Sequence, residues 1–279
     1  MMKTCVIDCG GGLRDIYGAG VFDYCIDNDI TFDMCIGISA GSANIASFTS
    51  GQRGRNYNFY HEYAFRKEYM SFDNVLKKKY YLDLDYVYGK LSNSNGEDPF
   101  DYDKFSENES EIYIIATNAK SGKPEYLYAG DMKKDNYWHL KASSCIPMIC
   151  SPAIEKDNRY FDGGISDPIP LKFALEKGCE KIVVIWTKPI ENVGNFILDE
   201  MVGHAMKKKF PKVSDDLLNR KTKVEKSLNY AKKLRDDGKV LIVSPESIGK
   251  MSTLTKDKEA LDKLYKIGYN DAEKIKEFL

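Results

Sequence analysis

A serine between two small residues at the end of an apolar run carries the most chemistry in this chain. Gly37-Ile38-Ser39-Ala40-Gly41 has the form G-x-S-x-G, which sets a serine on a sharp turn between strand and helix with its hydroxyl thrust outward. A serine hydroxyl is a weak nucleophile until a base takes its proton, and an ester under attack needs donors for the oxyanion that forms. Small residues at 37 and 41 admit the tight turn. A second stretch, Gly10-Gly11-Gly12-Leu13-Arg14, offers the donors, because glycines let backbone N–H groups turn toward a ligand without Cβ obstruction. A nucleotide-binding turn is disfavoured here. The sixth residue counted from Gly10 is Asp15, which breaks G-x-G-x-x-G, and no Gly-Lys-Ser/Thr follows.

Each stretch needs a strand before it and a helix after it, and the pattern supplies both. Lys3–Cys9 reads as a short buried strand and Gly18–Asp29 as a helix. Phe32–Ile38 is the next strand, and the small residues Gly41–Ser50 form a closely packed helix that aims its positive end at Ser39. Strand, glycine turn, helix, strand, serine turn, helix is the order of a parallel sheet with crossover helices. Strands are further predicted at Glu111–Asn118, with Pro124–Ala129 as hairpin partner, and at Arg159–Asp162, Lys181–Thr187 and Lys239–Ser244. Helices are predicted at Tyr137–Ser144 and Leu171–Lys177, over 199–236, and at Leu254–Leu279 with a break at Gly268. Residues 92–110 read as an exposed loop. No repeat or linker divides the chain, so one α/β domain over 1–279 is expected, with a cap or insertion at about 57–110 and a helical C-terminal region at about 199–279.

Composition narrows the partners. Across 279 residues the net charge is −1, which gives no footprint for nucleic acid. No apolar run approaches the ~18 residues of a membrane span, and no secretion signal is recognisable. Seven cysteines without a C-x-x-C pair, with only three histidines, suit reduced core thiols in a cytoplasm rather than a zinc site. Eleven of the 32 residues from Tyr57 to Tyr88 are Tyr or Phe, with a triple lysine at 77–79. This segment is either an acyl pocket or lid touching a lipid–water boundary, or a helical cap packed on the core.

Two residues compete to be the base. The order Ser39, Asp162, His204 matches an α/β-hydrolase triad, but Met201–Phe210 reads as mid-helix and the nucleophile comes early for that fold. Asp162-Gly163-Gly164 instead follows a short strand, so its carboxylate projects from a strand end. Burial would raise its pKa from ~4 and suit it to proton transfer. Asp-Gly is also an ordinary turn, so both candidates, and a non-catalytic lipid-binding or regulatory protein, remain open on the residues alone.

The motifs together resemble the patatin-like phospholipase family, specifically its small bacterial intracellular members. The likeness rests on Gly10–Arg14 continued by Gly18-Ala19-Gly20-Val21, on Gly37–Gly41, on Asp162-Gly163-Gly164, and on Ala142–Pro147 and Gly51–Asn56. It implies a three-layer fold with a central, mostly parallel sheet flanked by helices. It implies a Ser39–Asp162 dyad, an oxyanion hole from Gly10, Gly11, Gly12, Leu13 and Arg14, and hydrolysis of phospholipid or lysophospholipid acyl esters without metal or cofactor. The expected partners are a lipid substrate and, peripherally, the inner membrane face. One residue departs from the pattern. The family often has glycine after the arginine, whereas this chain has Asp15, a negative charge expected either to pair with Arg14 or to point to solvent.

Overall fold

The structure is a computed structural model, which describes residues 2–279. Five parallel strands form its centre: β1 (Thr4–Asp8), β2 (Met34–Ile38), β3 (Glu111–Asn118), β7 (Lys181–Ile185) and β8 (Val240–Val243), in the order β3-β2-β1-β7-β8. β4 (Pro124–Tyr128) and β6 (Asn158–Asp162) run antiparallel to β3, and β5 (Ala153–Glu155) antiparallel to β6. The inner strands are short apolar runs because helices cover both faces of the sheet. β2, for example, is buried at all five positions.

Successive residues of a strand face opposite sides, and the two cores follow that alternation. Cys5 and Ile7 of β1 and Met34 and Ile36 of β2 join one core, while Val6 and Cys35 join the other. The first core is closed by α7 (Leu171–Glu176) and α10 (Arg220–Asp236), through Leu171, Val224 and Leu228. The second is closed by α1 (Ile16–Asp27), α2 (Ala40–Thr49) and α11 (Lys258–Asp271). The remaining helices are α3 (Arg55–His61), α4 (Phe72–Lys78), α5 (Tyr102–Glu107), α6 (Trp138–Ser143), α8 (Ile197–Met206), α9 (Pro211–Leu218) and α12 (Glu273–Phe278).

Three expectations change. The 92–110 stretch is not simply an exposed loop. It carries α5 and buries Ser92, Phe100 and Phe105. α11 starts at Lys258 rather than Leu254 and runs through Gly268 unbroken, with the break at Ala272. Gly268 serves packing instead: a Cβ there would strike the backbone carbonyl of Tyr17, so the glycine lets α11 lie directly on α1. The aromatic segment 57–88 is both a cap and a pocket wall, as the site shows.

Candidate active site

Sheet register brings Ser39 and Asp162 together. β2 lies beside β3 with Ile38 opposite Ile115. β4 occupies the other edge of β3 from Tyr113 to Thr117, so β6 must share the edge used by β2. Asp162 stands opposite Ala116, one residue beyond Ile115. The two strands therefore arrive at one point from opposite directions, β2 delivering Ser39 and β6 delivering Asp162.

Ser39 sits at φ 56°, ψ −129°, a conformation costing about 1–3 kcal/mol that surrounding contacts must hold. Its N–H donates to Ser143 Oγ at 2.8 Å, and Ser143 Oγ donates to the Ile115 carbonyl at 2.6 Å. Its carbonyl accepts from Ser42 Oγ at 2.6 Å and Ser144 Oγ at 3.2 Å. Gly37 and Gly41 are required by close approach: a Cβ at Gly37 would lie 2.5 Å from Ser42 Cα, and one at Gly41 2.5 Å from the Asp8 carbonyl. Gly41→Ala is expected to destabilise by roughly 1–3 kcal/mol, because neither backbone nor buried carboxyl can move aside. Urea unfolding measures this; an unchanged midpoint would contradict the packing.

Asp162 is 6% exposed. Burial raises its carboxyl above the ordinary value, opposed in turn by the Arg220 charge, the Ser39 hydroxyl and the Gly164 N–H, which reaches Oδ1 at 2.8 Å. Gly163 lets the turn lie against β3 at Ile115, and Gly164 faces the Arg220 guanidinium. A desolvated carboxylate beside a serine hydroxyl is suited to take its proton. His204 is exposed on α8 and bonds to neither residue, so the structure does not bring it into the Ser39–Asp162 pair.

The glycine loop is more specialised than its sequence suggests. Gly10, Gly11 and Gly12 have φ of 69°, 150° and 60°. The Gly10 N–H donates to Asp8 Oδ1 at 3.0 Å and the Leu13 N–H to the Thr253 carbonyl at 2.8 Å, so neither is free. The N–H groups of Gly11 and Gly12 have no acceptor among the described residues. Thr187 Oγ1 donates to the Gly10 carbonyl at 2.9 Å, and Arg14 reaches Thr253 Oγ1 at 3.4 Å.

Asp15 neither pairs with Arg14 nor meets solvent. It is fully buried against Asp8, and Asn44 Nδ2 bridges Asp8 Oδ2 (3.1 Å) and the Asp15 carbonyl (2.9 Å). Apart from Asp8, its carboxyl oxygens have no polar partner among the described residues. Burial lifts both carboxyls, Asp8 to about 6, and the Asp8 charge adds to the rise of Asp15. Two carboxyls so placed share one proton. Gly18 makes room for them, since a Cβ there would lie 2.7 Å from an oxygen of each. Nothing in the sequence alone marks Asp8, Asn44, Thr187, Arg220 or Thr253 as site residues, whereas Ser143 lies within the Ala142–Pro147 segment.

Ser39 opens on an apolar pocket. Ala43, Phe59, Tyr69, Leu82, Leu84 and Val87 form much of its wall, so the aromatic segment supplies one side. Leu254 and Thr253, from the C-terminal region, supply another part.

The family model described as patatin-like phospholipase matches residues 7–175, and one described as a domain of unknown function (DUF6363) matches 210–279. The uncharacterized protein YjjU of Escherichia coli (strain K12) is 29% identical over 186 residues, covering 64% of this chain and 50% of that protein. The chain thus spans about half the length of that curated relative. The crystal structure of VipD from Legionella pneumophila aligns with 98% of this chain and 66% of its own, at 12% identity and a TM-score of 0.49. The match over 7–175 covers more than half of the residues, and with it the chain belongs to the patatin-like phospholipase family.

Proposed function

We propose that this chain is a serine acyl hydrolase cleaving fatty acyl esters of phospholipids or lysophospholipids through a covalent acyl-enzyme on Ser39. The observation that carries the reading is a strained serine with a buried carboxylate on one side and an apolar pocket on the other. The acyl chain lies in the pocket. Asp162 takes the Ser39 proton as the hydroxyl oxygen bonds to the ester carbon, and the carbonyl oxygen gains charge near the free N–H groups of Gly11 and Gly12 and the positive end of α2. Asp162 then returns the proton to the departing alcohol. A water, deprotonated by the same carboxylate, releases the fatty acid and regenerates Ser39.

On this reading the whole of 1–279 serves one site, with 57–110 as the cap that shapes the acyl pocket. Peripheral contact with a lipid surface is part of the same reading. Phe72 and Leu76 on α4 are 79% and 83% exposed, followed by Lys77, Lys78 and Lys79, and Ile197, Leu198 and Met201 are exposed on α8. Apolar side chains flanked by lysines suit an anionic membrane face, such as the cytoplasmic one. No helix among the described residues is long and apolar enough to cross a membrane.

A fluorophosphonate probe tests the nucleophile. The wild type is expected to become labelled at Ser39, located by peptide mass spectrometry, and Ser39→Ala to stay unlabelled. Equal labelling of both, or none of the wild type, would sink the proposal.

A further inference from the structure

The pocket beside Ser39 changes character along its length. Ser39 caps α2, and Ala40, Ala43 and Ala46 line the pocket from successive turns of that helix, so the cavity follows its axis. Arg55 marks the far end, because its Nη1 donates to Ser47 Oγ at 3.1 Å. From Ser39 to Ser47 the helix rises about 12 Å, most of which an extended octanoyl chain would span.

That far end is polar, although the α2 wall leading to it is not. Arg55, Ser92 and Tyr137 all line the pocket and gather around Phe100. The Arg55 guanidinium lies 5.8 Å from the Phe100 ring centre, Tyr137 packs edge-on to the same ring at 5.2 Å, and Ser92 Oγ accepts from Arg55 Nη2 at 2.9 Å. Two of these groups keep unused hydrogen-bonding capacity. Tyr137 is 2% exposed, and its hydroxyl is buried with no partner among the described residues. The Ser92 hydroxyl accepts from Arg55 but donates to no group among the described residues. The floor is also close to neutral, because Arg55 Nε faces Asp98 Oδ2 at 3.5 Å. A hydrocarbon end placed against these hydroxyls would leave buried donors unpaired, whereas an oxygen would pair with them.

We propose that the pocket is a subsite for medium-length acyl chains that carry a hydroxyl at their far end, with Tyr137 and Ser92 as the specificity-determining residues. The proposal rests on the acyl-hydrolase reading above and adds the chemistry of the acyl chain to it. The substrate hydroxyl accepts from Tyr137 and from Ser92, and so uses the two donors that the fold leaves idle. A carboxylate is disfavoured at the same place, since the Arg55 charge is already matched by Asp98. Arg55 is the brace of this floor. It holds Ser92, and it is itself held by Ser47 and by the Asp98 carbonyl at 3.0 Å.

Tyr137→Phe tests it, because it removes one oxygen and keeps the ring on Phe100. The readout is the ratio of kcat/KM for the p-nitrophenyl ester of ω-hydroxyoctanoate to that for p-nitrophenyl octanoate. The wild type is expected to favour the hydroxylated ester. In Tyr137→Phe the ratio should fall about 10-fold, the upper range for one hydrogen bond between neutral groups, mainly through KM. Ser92→Ala, which removes the other donor, should lower it by a similar factor. A wild type that favours plain octanoate would overturn the subsite. So would variants that slow both esters equally, which would leave the hydroxyls to packing or ordered water alone. If the wild type cleaves neither ester, the acyl-hydrolase reading fails instead. The Tm shift given by ω-hydroxyoctanoate relative to octanoate, in the wild type and in Tyr137→Phe, then decides the subsite by itself.

Discussion

Asp162→Asn is expected to lower kcat on the order of 10⁴-fold or more while the fold persists, and Ser39→Ala to do the same, with the double variant scarcely worse than either. Members of a catalytic unit fail together, so that non-additivity identifies the pair as a unit. Asparagine keeps the oxygen that accepts from Gly164, so the turn after β6 retains its contact and Tm should move little. The pH profile of the wild type carries the same signature. Asp162 must be ionised to act as base, and burial raises its pKa. The acid limb of kcat/KM therefore lies above the ordinary carboxylate value of ~4, and activity is lost as pH falls through it. Arg220 is the strongest opponent of that rise, so Arg220→Gln should move the limb to higher pH. Full activity in Asp162→Asn, together with loss in His204→Ala, would sink the dyad.

Much of this was legible in the sequence where chemistry is local. Ser39 and Gly10–Gly12 end consecutive strands because β1 and β2 are adjacent and parallel, an arrangement the alternating pattern already implies. The route by which Asp162 reaches Ser39 was not legible. It depends on β6 running antiparallel along the edge of β3 that β2 vacates at Ile38, and register between strands distant in sequence leaves no periodic trace. Asp8 was hidden for a different reason. In the chain it is one polar residue in an apolar run, and its partner Asp15 lies across a turn whose φ values only the fold reveals. Thr253 and Arg220 sit in a charged, helix-rich region where single residues look interchangeable. The same distinction explains the loop's donors. Sequence offers five equivalent candidates from Gly10 to Arg14, and only the hydrogen bonds of Gly10 and Leu13 remove two of them.

Asp15→Asn is expected to make the protein more stable, and increasingly so as pH rises. In the native state Asp8 and Asp15 both have raised pKa values, burial being the first cause for each. A carboxyl raised by folding keeps a proton that the unfolded chain has already released. Its stabilising contribution is complete below about pH 4 and is lost as pH climbs through the raised native value, which for Asp8 is about 6. The slope is up to about 1.4 kcal/mol per pH unit for each proton held. Asparagine removes one such proton. It places an amide donor against the Asp8 carboxylate and preserves the Asp8 bond to the Gly10 N–H. Wild type and variant should therefore be nearly equal at pH 4 and diverge steadily to pH 8, as measured by urea unfolding at each pH. A difference that does not change with pH, or a variant less stable at pH 8, would mean that the two carboxyls do not share a proton. A gain would also locate the cost of the native pair.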